Sequence, residues 1–407
     1  MLPPLEQVKS DLSLTTETLA DELARAGQGT DVPAWNDTAW RVAAAAAVAH
    51  GVAPLLAGCS VWPAREWQDF LATQREHVEL RQRRIADLLT RIDTRARDLG
   101  VPMMALKGSA LHGLGIYVAG ERPMADIDLL VRPEHADAAA AVLAGFGYEE
   151  TYRQWKHVVF KPAGVRPATA FGEHRDTPIN IELHTRIHER LPIRVVDVTS
   201  IVWAPDAVPG INPYPSSGAL MTHLLLHAAG SICGRSLRLL HLHDMAQLSR
   251  RMRRAAWEPL WQGDEAPWWA YPPLRLVDRY FPGTVPRAVL QRLRRDTTPL
   301  LRTLSSRQTL TSTSCSHLWL HLLPGVEWVR TPGDLATLLL RRVRPSRESR
   351  EERVDMLRTQ AWLQGQEWVR QGHLRRVVTA LTRPVPRMDT LYVVRGALAQ
   401  GSQAFAP

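Results

Sequence analysis

Two carboxylates in an otherwise apolar strand constrain this chain more than any other feature: Ala125-Asp126-Ile127-Asp128-Leu129-Leu130-Val131. Side chains alternate across a strand, so Asp126 and Asp128 share one face, about 7 Å apart along it, while Ile127 and Leu129 point into the core. Like charges on one face repel unless a cation lies between them. A hard divalent ion such as Mg2+ takes carboxylate oxygens together with phosphates, which makes this Asp-x-Asp pair a candidate metal seat. Upstream, the apolar run Val101 to Leu106 ends in Lys107-Gly108-Ser109, and Gly120-Glu121-Arg122-Pro123 leads into the carboxylate strand.

The surrounding pattern reads as helices, then a small sheet, then helices. An amphipathic helix is expected from about Leu5 to Ala26, and a second from an Asp37 cap to His50. A long one follows from roughly Glu66 to Leu99, with Leu80, Leu88, Ile92 and Leu99 on one face, Arg and Glu on the other, and Gly100 as the stop. Strand 101–107, a short helix to Gly115, strand 125–131 and a helix from Pro133 to Gly145 or Gly147 come next. Strand-like pieces at Tyr148–Tyr152, His157–Lys161 and Ile179–Thr185 complete a mixed sheet. From Ser216 the chain is helical, with segments at Gly218–Ala229, Leu237–Arg251 and Pro286–Arg295. The charged break Pro345–Glu352 precedes a terminal helical segment around Val354–Thr382. The expected fold class is therefore α+β, divided into an N-terminal helical region (1–100), a sheet-bearing core (101–200), a helical C-terminal domain (201–345) and a terminal helical segment (346–407).

With 407 residues, 45% of them hydrophobic and 22% charged, the chain has the length and composition of a soluble globular protein with a sizeable core. No apolar run approaches the ~20 residues of a membrane span, and the first residues lack the basic and apolar regions of a signal peptide, so a cytoplasmic protein is expected. Cys59, Cys233 and Cys315 have no paired spacing, against a disulfide framework or a zinc site. The net charge of +9 comes almost wholly from Arg, the lysines being Lys9, Lys107, Lys156 and Lys161. These arginines are mixed with Glu and Asp along amphipathic helices, so solvated faces are expected rather than a nucleic-acid footprint. The same bias draws attention to the Lys beside the Gly-Ser turn.

Asn180-Ile181-Glu182-Leu183-His184 is the second informative stretch, with Asn180, Glu182 and His184 on one face of its strand. Asp126, Asp128 and Glu182 from neighbouring strands would hold one or two Mg2+ bridging nucleotide phosphates. Gly108 permits close backbone approach, Ser109 opens a helix whose amides favour phosphate, and Lys107 and Arg122 would neutralise phosphate charge. His184, beside Glu182, would contact phosphate, ligate metal or orient the carboxylate, or serve a structural role. His223 with His227, and His241 with Asp244, share helix faces, and buried hydrogen-bonded side chains are expected there.

Leu106-Lys107-Gly108-Ser109-Ala110-Leu111, then Gly120-Glu121-Arg122-Pro123-Met124-Ala125-Asp126-Ile127-Asp128-Leu129-Leu130-Val131, then Ile181-Glu182-Leu183-His184, together resemble the DNA polymerase beta type of nucleotidyltransferase. More narrowly, they are similar to the uncharacterised bacterial nucleotidyltransferase family with a KG…R…DIDLLV signature. The likeness extends over about residues 35–260, through His50-Gly51-Val52-Ala53-Pro54 on one side and His223 to Asp244 on the other. It implies a small mixed-sheet nucleotidyltransferase core flanked by helices, with Gly108-Ser109 as the turn, Asp126 and Asp128 as the metal pair and Glu182 as the third acid. It also implies transfer of a nucleoside monophosphate from an NTP, most simply ATP, to an acceptor hydroxyl. The acceptor, such as a natural-product or biosynthetic intermediate, is not specified; neither a membrane nor a nucleic acid is expected as partner. A nucleotide-binding or partner-recruiting module that keeps the fold without catalysis is the alternative.

Overall fold

The computed structural model describes residues 4–25, 31–164, 172–263, 265–315, 325–351, 354, 371–382 and 390–400. Helices α1 (Leu5–Arg25), α2 (Asp37–Ala49), α3 (Ala53–Leu56) and α4 (Arg65–Asp98) form the N-terminal layer. Asn36 caps α2, accepting the Ala39 amide at 2.9 Å; Asp37, expected as the cap, is instead the first helical residue. Strand β1 (Pro102–Ala105), helix α5 (Lys107–Gly113), strand β2 (Asp126–Leu130) and helix α6 (Ala136–Ala144) follow. Strands β3 (Tyr148–Arg153), β4 (Val158–Pro162) and β5 (Asn180–His184) come next. A hairpin of β6 (His188–Arg190) and β7 (Val195–Asp197), helix α7 (Thr199–Val202) and strand β8 (Gly210–Asn212) lie beyond the strands read from sequence.

The main sheet runs β3-β4-β5-β2-β1-β8, with β2 parallel to β5, β1 parallel to β8 and the other pairs antiparallel. On its far face Ile127, Leu129, Ile181 and Leu183 join Val142 and Leu143 of α6 and Ile85, Leu88 and Ile92 of α4 in one apolar cluster. The alternation expected for the carboxylate strand is thus the alternation observed.

The buried stripe of α4 differs from the sequence expectation. It runs Val78, Arg81, Ile85, Leu88, Ile92 and Ala96, while Leu99 is 45% exposed. A guanidinium in that stripe breaks the apolar pattern, but Arg81 is used structurally: it donates to the carbonyls of Met124 (3.0 Å), Ala125 (2.8 Å), Pro178 (3.2 Å) and Thr177. Those carbonyls immediately precede Asp126 and Asn180, so one buried cation gathers the entries of β2 and β5.

Helices α8 (Ser217–Gly234), α9 (Leu239–Arg251), α10 (Tyr271–Tyr280), α11 (Arg287–Asp296), α12 (Pro299–Arg307), α13 (Leu310–Ser314) and α14 (Pro332–Val343) continue the chain. The last described helices are α15 (His373–Thr382) and α16 (Thr390–Gln400), and residues 355–370 of the expected terminal segment lie outside the described residues. A second, larger apolar cluster joins α1 and α2 to α8, α9 and α10, with Trp257, Trp268 and Trp328 fully packed inside it. No described helix is long and apolar enough to cross a membrane.

His50 ties these layers together. Its Nδ1 accepts the Leu239 amide at 3.3 Å and its Nε2 lies 3.3 Å from Thr16 Oγ1. Burial, with Arg238 adding to it, pushes this imidazole down to about 3, and burial holds His243 near 4. Both are neutral in the fold, whereas the unfolded chain takes up protons below the ordinary value of 6.5. Stability is therefore expected to fall as pH drops from 6.5 toward 4, by about 1.4 kcal/mol per pH unit for each such histidine. Denaturant titrations at stepped pH would measure it; a flat profile between pH 6.5 and 5 would contradict it.

Candidate functional site

The register of three strands builds the site. In the parallel pair β2–β5, Asp126 stands opposite Asn180, Asp128 opposite Glu182 and Leu130 opposite His184. The antiparallel pair β4–β5 sets Val158 opposite Leu183, which leaves His157, one residue earlier, beside His184. On the other side, the Leu106 amide donates to the Asp128 carbonyl at 2.9 Å, ending β1 where Lys107 can reach back across β2.

Lys107 and Asp128 form the central contact, Nζ to Oδ1 at 2.8 Å, with both side chains largely buried. His184 Nε2 lies 3.0 Å from the same oxygen and 3.7 Å from Glu182, and His157 Nδ1 lies 3.2 Å from Glu182 Oε2. Among the described residues His157, Glu182 and His184 are the group whose donor atoms converge, all within 4.8 Å of one another. The His157 Nδ1 nevertheless makes no hydrogen bond among the described residues. A small cavity of about 120 Å³ opens here, bounded by Lys107, His157, Glu182, His184, His223 and His227.

The charges are unevenly distributed. Burial, then Glu182, then Asp128 push the Asp126 carboxyl up to about 7, and Asp126 has no hydrogen-bond or ion-pair partner among the described residues. Asp128 moves the opposite way: against burial, the charge of Lys107 and the bond to His184 hold it well below the usual carboxylate range. Against burial, His184 and His157 also lower Glu182. Lys107 is raised, because three carboxylates outweigh its burial. His157 is pushed down to about 4, chiefly by burial, so its ring is neutral; Nε2 lies 2.6 Å from the Gln154 amide nitrogen, which leaves Nδ1 available as a donor or ligand.

The turn is held under strain. Lys107 adopts φ 45°, a left-handed backbone uncommon outside glycine, at a cost of about 1–3 kcal/mol. Its amide donates to Tyr214 Oη at 3.3 Å, and Tyr214 lies 2.7 Å from Nδ1 of the neutral His223. The Ser109 amide donates to the Leu106 carbonyl and its hydroxyl faces Met124 Sδ at 3.9 Å, whereas the Gly108 amide has no protein partner among the described residues. The Gly108 amide is thus the donor of the turn left for a ligand.

Arg122, read from sequence as a phosphate partner, is placed beneath the turn and committed elsewhere. Asp244 of α9 receives Nε at 2.9 Å and Nη2 at 2.7 Å, Tyr117 donates to the same carboxylate at 2.8 Å, and the Pro123 carbonyl takes Nη1. A Cβ added at Gly108 would sit 2.3 Å from Arg122 Nη1 and 2.7 Å from Met124 Sδ, so these side chains would have to shift, and Arg122 is held by Asp244. Gly108→Ala is expected to cost about 1–3 kcal/mol by overpacking and to displace the turn. Thermal unfolding would measure the loss, and an unchanged midpoint would show that Arg122 can yield.

The structure thus brings Lys107, Asp126, Asp128, Glu182 and His184 together, seats Gly108 and Ser109 beside them, and turns Arg122 toward Asp244. Sequence reasoning missed His157, Tyr214 and Arg81, and read Asp244 only as a neighbour of His241. His157 stands just before an apolar strand, but only the register with β5 gives it a role. Asp126, Asp128 and Glu182 offer the oxygen donors a hard divalent cation takes, and the uncompensated Asp126 is the group such a cation would relieve, while the donor atoms that already converge are those of His157, Glu182 and His184. Neither the curated proteins nor the solved structures offered a match. A family model described as uncharacterised nucleotidyltransferase matches residues 36–266, which take in the turn, all three carboxylates and Asp244, and with more than half its length so matched the chain belongs to that family.

Proposed function

We propose that this nucleotidyltransferase-family chain is a Mg2+-dependent enzyme that transfers a nucleoside monophosphate from an NTP, most simply ATP, to an acceptor hydroxyl. The observation that carries the reading is the parallel register that aligns Asp128 with Glu182 and leaves Asp126 an uncompensated carboxylate on the same strand. Asp126, Asp128 and Glu182 would hold the cation. When bound, it would supply charge neutralisation at the phosphates and acidify the acceptor hydroxyl. The Gly108 amide and Lys107 would bind phosphate oxygens at the strained turn, with Ser109 and Arg122 keeping the turn in place. The acceptor oxygen attacks the α-phosphorus in line: a new O–P bond forms, the α–β bridging P–O bond breaks, pyrophosphate leaves and the hydroxyl proton passes to Glu182. His184, between Asp128 and Glu182, would orient both. The acceptor, such as a natural-product or biosynthetic intermediate, would enter by the cavity next to His157 and His223.

One observation favours a second reading, a nucleotide-binding module without catalysis: a single oxygen of Asp128 already holds Lys107 and His184, two nitrogen groups where a metal would bind. Calorimetric titration with a non-hydrolysable ATP analogue, with and without Mg2+, separates the two. The enzyme reading expects Mg2+-dependent binding that the Asp126→Ala and Asp128→Ala variants lose. Mg2+-dependent binding unchanged in both variants would favour the module.

A further inference from the structure

Beyond the family-matched residues, α10, α11 and α12 pack around a cavity of about 640 Å³, within the usual range of small-molecule sites. Each helix turns one face to it. Helix α11 contributes Arg287 and Arg294, two turns apart on one stripe. Helix α12 contributes Arg302 and Arg307, and α10 contributes Arg275. No carboxylate lines it; its other polar groups include Thr303 and Ser306, with Leu290 and Pro299 as apolar wall.

One arginine on the opposite side of α11 is neutralised locally. Arg292 lies 3.1 Å from Glu258 and stacks on Trp261 at 3.8 Å. Of the cavity arginines, Arg275 pairs with Asp278 at 2.5 Å and Arg302 bridges to the Arg294 carbonyl at 3.3 Å, which fixes α12 against α11. Arg287, Arg294 and Arg307 have no ion pair among the described residues. Several guanidiniums converging without a counter-charge repel one another, and planar two-donor forks match phosphate oxygens.

We propose that this cavity is a binding site for a small oligophosphate anion, separate from the carboxylate site. The hollow is open to solvent, with Arg287, Arg294 and Arg307 exposed, but its five arginines are gathered on three helices around one spot. That arrangement suits a compact multiply charged ligand better than a nucleic-acid backbone, which would need a basic track continuing across the surface.

The test is calorimetry on the full chain with inorganic tripolyphosphate, in EDTA so that no cation supports binding at the carboxylates. The probe is expected to bind saturably at one site, with orthophosphate much weaker. Arg287→Ala/Arg294→Ala should weaken it at least about tenfold, since charged hydrogen bonds are lost, and Arg294→Gln should weaken it partially, covering the case in which the double variant misfolds. Asp126→Asn/Asp128→Asn should leave it unchanged. No tripolyphosphate binding, equal affinity in both arginine variants, or loss in the aspartate variant would overturn the proposal. So would single-stranded RNA binding at these arginines where tripolyphosphate does not, which would assign the face to nucleic acid.

Discussion

Asp126→Asn is expected to reduce nucleotidyl transfer roughly a thousandfold while leaving the protein as stable as the parent or more so. The two effects have one cause. Asp126 is partly exposed, has no partner among the described residues and is pushed toward neutrality by burial, Glu182 and Asp128. Removing its charge relieves the fold, as happens where a site is built at the expense of stability. The same charge is one arm of the proposed cation seat, whose contribution of several kcal/mol corresponds to about three orders of magnitude in rate. Thermal midpoints and initial rates on the same preparations would measure both. Unchanged turnover would remove Asp126 from the chemistry, and a large fall in midpoint would mean that its role is structural.

Asp244→Ala should have the largest effect on stability, about 3–5 kcal/mol, because it leaves the Arg122 guanidinium buried and unpaired. Arg122 is 8% and Asp244 2% exposed at the side chain, so solvent cannot replace the lost partner. Tyr117 would also lose its acceptor, and the support beneath Gly108 would loosen. Removing both charges is expected to be milder: Arg122→Met in the Asp244→Ala background should recover much of the loss. Urea titrations of the single and double variants would check this, and a double variant no better than Asp244→Ala would show that the charge itself is not the source of the cost.

The local parts of this arrangement were legible in the sequence because they depend on periodicity. Alternation in Ala125–Val131 and in Asn180–His184 put the carboxylates on one face and Ile127, Leu129, Ile181 and Leu183 on the other, as observed. What stayed hidden depends on which distant segments meet. Arg81 reads as one more arginine on a charged helix until α4 is laid over the entries of β2 and β5. Asp244 lies 122 residues from Arg122, and no local pattern links them. Strand β8 and the β6–β7 hairpin are three residues per strand, too short for alternation to register. The arginine hollow was read as solvated helix faces, and its Arg287, Arg294 and Arg307 are indeed exposed; what the helix pattern alone did not tell is that three such faces meet around one spot.

The central claim, that this site transfers the nucleotidyl rather than the terminal phosphoryl group, is tested most directly by the position of the label that moves. The protein would be incubated with Mg2+, an extract of its source organism as supply of acceptor, and ATP labelled at either the α- or the γ-phosphorus. The account predicts that α label enters the acceptor and pyrophosphate is released in step, with both lost in Asp126→Asn. Transfer of γ label with release of ADP would contradict it.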